Sequence, residues 1–479
     1  MFGGEDGGGG GCRGVDCVRF VSACETPRPT TDFATVMKLL LTGDVHLGRA
    51  SSGLGQASPR IDGTAASAWQ RIVDLAVRHR VEAVVVSGDL VDAGNRYFEA
   101  STPLERGVRR LSEGQIEVIA VTGNHDHRTT ADLFARLAAK GLMVRVLGAG
   151  RKWQAHEIER GGERLRLVGW SFGAEVERTD PLETLAESLL RDSAAPTIGV
   201  VHGDLDNPSS RYAPLSRRRL QGTPLSGWLL GHIHARQLDT TAGVPWILYP
   251  GSPQALDPGE PGDHGVWLVE IDGERIGQPS FVPLSTVLYA SLDLAVDGVS
   301  DVDGMRVAAD RGLHEVASEL PECVKAVVVD GALTGASDAW SSAREVCAEL
   351  LRGDPLLGPG VEIIVRKMLD RVGPCLPLES LAEGSGIASA LARAVRALER
   401  PVDVPVPAEF APLVEKIMAQ VRARPLHGQV RVGEEFRSLQ LTEADARPMA
   451  ATAARRLLGA MLRDSGHLVV TSNAQGVVR

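Results

Sequence analysis

The sequence predicts an α/β layered domain, then a small α/β unit, then a mostly helical C-terminal region. Three observations carry that prediction. Short apolar runs alternate with segments of helical spacing from Lys38 to about Pro283. Polar residues, most of them introduced by glycine, follow five of those runs directly. Beyond Leu376, strand-length apolar runs give way to long segments with apolar residues three and four apart.

The elements follow in order. Residues 38–42 form a short apolar strand. Residues 65–79 place Ala68, Trp69, Ile72, Val73 and Ala76 on one helical face. Residues 83–87 and 116–121 are apolar strands, 131–139 a helix, and 165–168 and 197–201 strands. Asp180-Pro181 with Glu183 is a helix start: a capping Asp, a Pro in the first turn and Glu three on. Strands at 228–230, 247–249 and 266–271 complete the layered domain. In the small unit 287–294 alternates as a strand, 303–320 is helical, and 325–329 and 361–365 are strands. The tail holds helices over 378–399, 411–421 and 442–462, the last stopping at Asp464-Ser465-Gly466. Leu413, Val414, Ile417, Met418 and Val421 form one apolar stripe, and Leu457, Leu458, Met461 and Leu462 another. Such stripes either pack internally or dock a partner helix. The expected division is 1–36, 37–283, 284–370 and 371–479.

Composition narrows the function. With 43% hydrophobic and 23% charged residues in 479, the chain reads as globular. No uncharged apolar run reaches the roughly 18 residues that span a bilayer. A net charge of −10 excludes binding to nucleic acid by bulk charge, so any such contact needs a local basic patch. The 7 Trp, 4 Tyr and 9 Phe are too few for a single-strand stacking platform as the main activity. Six cysteines without a C-x-x-C read as reduced thiols of a cytoplasmic protein. Residues 1–36 are Gly-rich and read as a disordered leader or an upstream-start extension. Val21-Ser22-Ala23-Cys24 resembles a lipoprotein cleavage site, but Arg13, Asp16 and Arg19 interrupt the apolar stretch that a signal peptide requires.

The chemistry lies in five motifs at or just after strand ends, where open α/β sheets build their sites. They are Gly43-Asp44-Val45-His46, Gly88-Asp89-Leu90-Val91-Asp92, Gly123-Asn124-His125-Asp126, Val201-His202-Gly203 and Gly231-His232-Ile233-His234. In four of them a glycine precedes the first polar residue, which lets the backbone turn sharply. Asp44 and His46 are two apart, as are His232 and His234, so in an extended chain each pair points one way. Paired His and carboxylate donors without thiolate suit a dinuclear site for Mn, Fe or Zn.

In this order the motifs resemble those of the calcineurin-like metallophosphoesterases: D-x-H, G-D-x-x-D, G-N-H-D/E, a later His, and G-H-x-H. Asp44–Gly48, the run from Asn95 to Gly107, Arg211 to Pro214, Gly231 to Gln237 and Tyr249 to Gln254 are similar more narrowly to the SbcD/YhaO-like branch of DNA repair exonucleases. The resemblance implies a four-layer α/β/β/α sandwich carrying a small α/β cap and a helical tail. It implies two divalent metal ions, best matched by Mn. One would be held by Asp44, His46, Asp89 and His234, the other by Asp89, Asn124, His202 and His232, with Asp89 bridging and a water activated between them. His125 would be the general acid on the leaving oxygen or a ligand of the phosphoryl oxygen. Asp126 would orient it, and Asp92 would support a ligand His. The implied partners are DNA and an SMC-like ATPase bound by the C-terminal region; a homodimer is also compatible. The same chemistry admits a phosphatase or phosphodiesterase acting on small nucleotides or phosphoproteins. A third reading is a scaffold for the ATPase with slow catalysis. Arg217, Arg218 and Arg219 lie between two ligand motifs and are either a solvated helix face or the phosphate contact. His127 reads as solvated loop and His264 as a turn residue.

Overall fold

The computed structural model describes residues 36–464 except 56–58, 93, 95–96, 192–194, 359 and most of 401–442. The leader up to residue 35 and the stripe from Leu413 to Val421 lie outside the described residues.

Five strands carry the site: β1 (Met37–Thr42), β2 (Ala83–Ser87), β3 (Glu117–Val121), β4 (Thr197–His202) and β5 (Gly227–Gly231). β1, β2 and β3 pair in parallel at the centre of a seven-stranded sheet. Their residues alternate. Leu40, Val84, Val86, Val118 and Ala120 enter the core beneath the helices. Leu39, Leu41, Val85, Ile119 and Val121 enter the core shared with the second sheet. Burial on both faces is why these strands read as unbroken apolar runs. Gly265–Asp272 closes one side antiparallel to β1. In the six-stranded second sheet β4 pairs in parallel with β5, Gly231 opposite His202. All five strands therefore deliver their carboxyl ends to one pocket.

Helices cover the outer face of the first sheet. α1 (Ala65–His79) is capped by the Thr64 side chain accepting from the Ser67 N–H, and it buries the predicted stripe together with Ala65 and Leu75. α2 (Tyr97–Glu113) escapes a propensity reading because Pro103 sits inside it. It forms because Ala100, Leu104, Val108 and Leu111 bury a stripe in the same core. Trp69 lies against Gly107, where any Cβ would come within 2.2 Å of the indole nitrogen. α3 (Thr129–Ala139) completes this layer. The start at Asp180 is a single 3₁₀ turn, Pro181–Thr184, capped by the Asp180 carboxylate.

A third sheet runs Val287–Ala295, Ala326–Ala336, Val361–Gly373, Leu356–Gly358, parallel through its first three strands. One face packs on Val302–Glu315 and Ala343–Arg352. The other meets Leu54, Ile61 and Ala255 of the preceding region. The helix expected over 303–320 ends at Glu315. The helix expected over 378–399 is two, Leu378–Glu383 and α4 (Ile387–Leu398), separated by Gly386 at φ 95°. The tail also contains an antiparallel hairpin, Gln429–Val432 with Glu435–Ser438, between two of the expected helices, where no strand was expected. α5 (Glu443–Asp464) buries Leu458 and Leu462 with Ala392 and Val395 of α4, while Leu457 is 54% exposed.

Candidate metal centre

All seven expected ligands are buried, and the strand ends bring them together. Among the described residues nine non-glycine residues have positive φ, and Asp44 (49°), His46 (49°), Asp89 (48°) and His232 (99°) are four of them. A side chain held there costs about 1–3 kcal/mol and persists only where its surroundings impose it. Asp44 and His46 are thus not presented by extended chain, contrary to the spacing argument. Tight turns, pinned by Asp44 N–H to Gly88 O and His46 N–H to Asp89 O, place them. The Asp44 carboxylate accepts from the His232 N–H at 3.0 Å and so holds the most strained of the four.

The glycines serve close approach more than turning. Of the four that open motifs only Gly88 has positive φ, 102°. A Cβ at Gly123 would lie 2.3 Å from Asp89 Oδ1, and one at Gly231 2.0 Å from Ser87 O and 2.6 Å from His202 Nδ1. The side chains of Asp89 and His202, and the Ser87 carbonyl, occupy the space where those Cβ atoms would be.

His202 shows what the pocket accommodates. Its Nδ1 lies 3.0 Å from the Ser87 carbonyl, which can only accept. Burial pushes its pKa well below the ordinary value, and neighbouring His232 adds to the shift. The ring is therefore neutral with the proton on Nδ1, leaving a lone pair on Nε2. That lone pair faces Asn124 Oδ1 at 3.0 Å and Asp89 Oδ2 at 3.4 Å. Three electron-rich atoms converging in a buried space suit a cation. The Nδ1 of His232 is buried with no hydrogen-bond partner among the described residues, and burial pushes this imidazole down to about 3. Donor atoms of Asp44, His46 and His234 lie within 4.8 Å of one another, as do those of His46, Asp89 and His125 and those of Asp44, Asp89 and His202. Nitrogen and oxygen donors without sulfur suit Mn, Fe or Zn.

His234 is different. Its Nδ1 lies 2.6 Å from the buried carboxylate of Glu260, and its Nε2 3.1 Å from His46 Nε2. Burial opposes its charge, but Glu260 outweighs burial and raises the imidazole to about 9. Glu260 falls to about 2, because His234 offsets its own burial. Sequence reasoning missed Glu260, which belongs to no motif and reaches the ligand only through the loop after Tyr249.

The two carboxylates expected around His125 are placed otherwise than the motif order suggests. Asp126 is fully enclosed and accepts from Gly123 N–H, Leu90 N–H and the Thr130 hydroxyl. It thereby ties the β3 turn to the β2 turn. Asp92 instead faces His125, Oδ1 to Nδ1 at 3.7 Å, and the imidazole keeps its carboxyl below the ordinary value. Arg49 stands behind Asp92 at 3.8 Å. The His125 ring meets the His46 ring edge-on, centroids 4.9 Å apart. Arg217 pairs with Asp206 and Asp239, and Arg219 with Asp180; among the described residues Arg218 has no ion pair. Two of the three arginines are thus already neutralised. His127 is half-buried, with Nδ1 3.2 Å from the Asn124 carbonyl. His264 is buried against Ser252 rather than turned to solvent.

An α/β fold whose parallel strand ends converge on such donors defines a metal-dependent hydrolase. Residues 37–274 belong to the calcineurin-like phosphoesterase superfamily, and the protein is a metal-dependent phosphoesterase. The uncharacterized metallophosphoesterase YhaO of Bacillus subtilis is 28% identical over 313 residues, 64% of this chain and 74% of its own. The DNA double-strand break repair protein Mre11 of Sulfolobus acidocaldarius is 23% identical over 301 residues, 60% of this chain and 72% of its own. SbcD, one of the subunits of the nuclease SbcCD of Escherichia coli, is 31% identical over 94 residues, 20% of this chain and 22% of its own. Among the described residues no helix is long and apolar enough to cross a membrane.

Proposed function

We propose that this protein is a nuclease of the repair type, hydrolysing phosphodiester bonds at DNA ends with two divalent ions, Mn foremost. The observation that carries the reading is the convergence of Asp89, Asn124 and the neutral face of His202 inside a phosphoesterase domain. The relatives named as a double-strand break repair protein and a nuclease subunit support the choice of DNA. Asp44, His46, Asp89 and His234 would hold one ion, and Asp89, Asn124, His202 and His232 the other. Bound there, the ions supply Lewis-acid stabilisation of charge on phosphorus and a water of lowered pKa. His125 lies beside this set. With Asp92 facing Nδ1, its Nε2 is the atom that gives a proton to the leaving oxygen.

The region around residues 37–283 would be the catalytic domain, 284–370 its cap, and 371–479 the surface for a coiled-coil ATPase of the SMC type. The name of the Escherichia coli relative, one subunit of a nuclease, supports a partner. The exposure of Leu457 and Ile387 on the tail supports its location. The test is hydrolysis of labelled single- and double-stranded DNA and of bis-p-nitrophenyl phosphate by the full chain with Mn. DNA degradation lost in Asp89→Ala is expected. Hydrolysis of the small diester with intact DNA would replace this reading by a phosphodiesterase of small substrates. Co-expression with the coiled-coil ATPase should yield a complex.

A further inference from the structure

We propose that Glu260 is a positioning residue of the metal centre: its carboxylate locks the His234 ring so that Nε2 is the ligand atom. This rests on the reading of His234 as a ligand. Glu260 is 7% exposed and lies 26 residues beyond that histidine. Its two oxygens have separate tasks. Oε2 accepts from the Leu256 N–H at 2.7 Å, which closes the loop on itself. Oε1 is left for His234 Nδ1 at 2.6 Å. A loop anchor alone needs only the Oε2 contacts, to the Leu256 N–H and the Ser252 hydroxyl, and burying a carboxylate with its other oxygen unmatched is costly. The Oε1 contact makes the burial intelligible.

The carboxylate is itself held. The Glu260 N–H donates to Asp257 O at 2.9 Å, and His264 Nε2 lies 3.2 Å from Glu260 O. Leu256 O accepts from Ser52 N–H, and Ser52 O from the Tyr289 hydroxyl at 2.7 Å, so the loop is tied through Ser52 to the third sheet. An imidazole whose Nδ1–H is bound to a fixed carboxylate can rotate neither its ring nor its tautomer, and Nε2 becomes the more basic donor. In the corresponding place His202 Nδ1 has the Ser87 carbonyl at 3.0 Å, with the Asp44 carboxylate no nearer than 4.0 Å. The two ions are therefore expected to depend on Glu260 unequally.

The experiment titrates the metal-free full-length protein, its Glu260→Ala and its Glu260→Gln variants with Mn, reading bound ion directly and folding by circular dichroism. The proposal expects one of two ions to bind about 10- to 100-fold more weakly in Glu260→Ala, with the other unchanged. Glu260→Gln keeps the volume and one acceptor and should fall between. Nitrogen-15 spectra of the metal-loaded protein should show His234 as the Nδ1–H tautomer in wild type and lose that signature in Glu260→Ala. Two ions bound with wild-type affinity in both variants would overturn the proposal, as would equal weakening of both. If Glu260→Ala does not fold, Glu260→Gln decides by the same measurements. If neither folds, Glu260 is a structural anchor and the proposal fails. Wild type that binds no divalent ion would instead remove the underlying reading of the site.

Discussion

His202 and His234 are buried in one pocket, about 30 residues apart in sequence, and they hold protons oppositely. Behind His202 stands a backbone carbonyl, which orients the ring but brings no charge to keep it protonated. Behind His234 stands a carboxylate, and the ring stays charged until about pH 9. The group behind an imidazole, more than the depth of its burial, sets its charge in this pocket. In the centre as proposed, His202 is ready for a cation, whereas His234 must release a proton to take one.

The largest expected effect comes from the side chain common to both halves. Asp89 lies within reach of His46 and His125 on one side and of Asp44 and His202 on the other. Asp89→Ala should abolish turnover on every substrate and lower bound metal, by assay and elemental analysis. Full turnover with unchanged metal would dissolve the picture of two halves sharing a carboxylate.

Next is His125, which lies against the His46 half. His125→Asn should retain both ions and lose about 10²–10⁴-fold in kcat. Collapse of metal stoichiometry would make it a ligand.

The His202 half can be broken alone. Gly231→Ala places a methyl group against Ser87 O and His202 Nδ1. It should cost about 1–3 kcal/mol of stability by overpacking, seen as a lowered Tm. It should also weaken one ion more than the other. Equal weakening would mean that His202 does not serve one ion by itself.

The smallest effect concerns the proton on His234. Its folded pKa, about 9, lies above the ordinary 6.5. The stabilisation from its pair with Glu260 is complete below about pH 6.5 and is lost as pH rises through 9. The Tm of the metal-free protein should fall over that window, and apparent Mn affinity should rise because ion and proton compete. A flat Tm from pH 6.5 to 9 would erase the difference between the two histidines.

Much of this was legible in the sequence because it is local. The central strands are buried on both faces, so residues 38–42 and 83–87 read as apolar runs, and the stripe of α1 follows from 3.6-residue periodicity. The motifs sit at strand ends because the chain must leave the sheet there. α2 was not legible, since Pro103 and Gly107 break its pattern and only burial of its stripe in the core beside α1 rewards it. The single helix expected over 378–399 failed at Gly386, whose positive φ ends the regular backbone.

The sequence by itself determined the order and chemical type of the candidate ligands, because each motif is a few consecutive residues on a turn. Tertiary structure alone decided how they are poised. Ser87 stands behind His202 across 115 residues, because β2 and β4 belong to two different packed sheets. Asp92 rather than Asp126 faces His125, because Asp126 is consumed in tying the β3 turn to Leu90. Asp180, Asp206 and Asp239 neutralise Arg219 and Arg217 from other segments of the chain. Proton positions and free charge depend on what lies within about 4 Å, and at that range neighbours are chosen by sheet packing and loop closure rather than by adjacency in the chain.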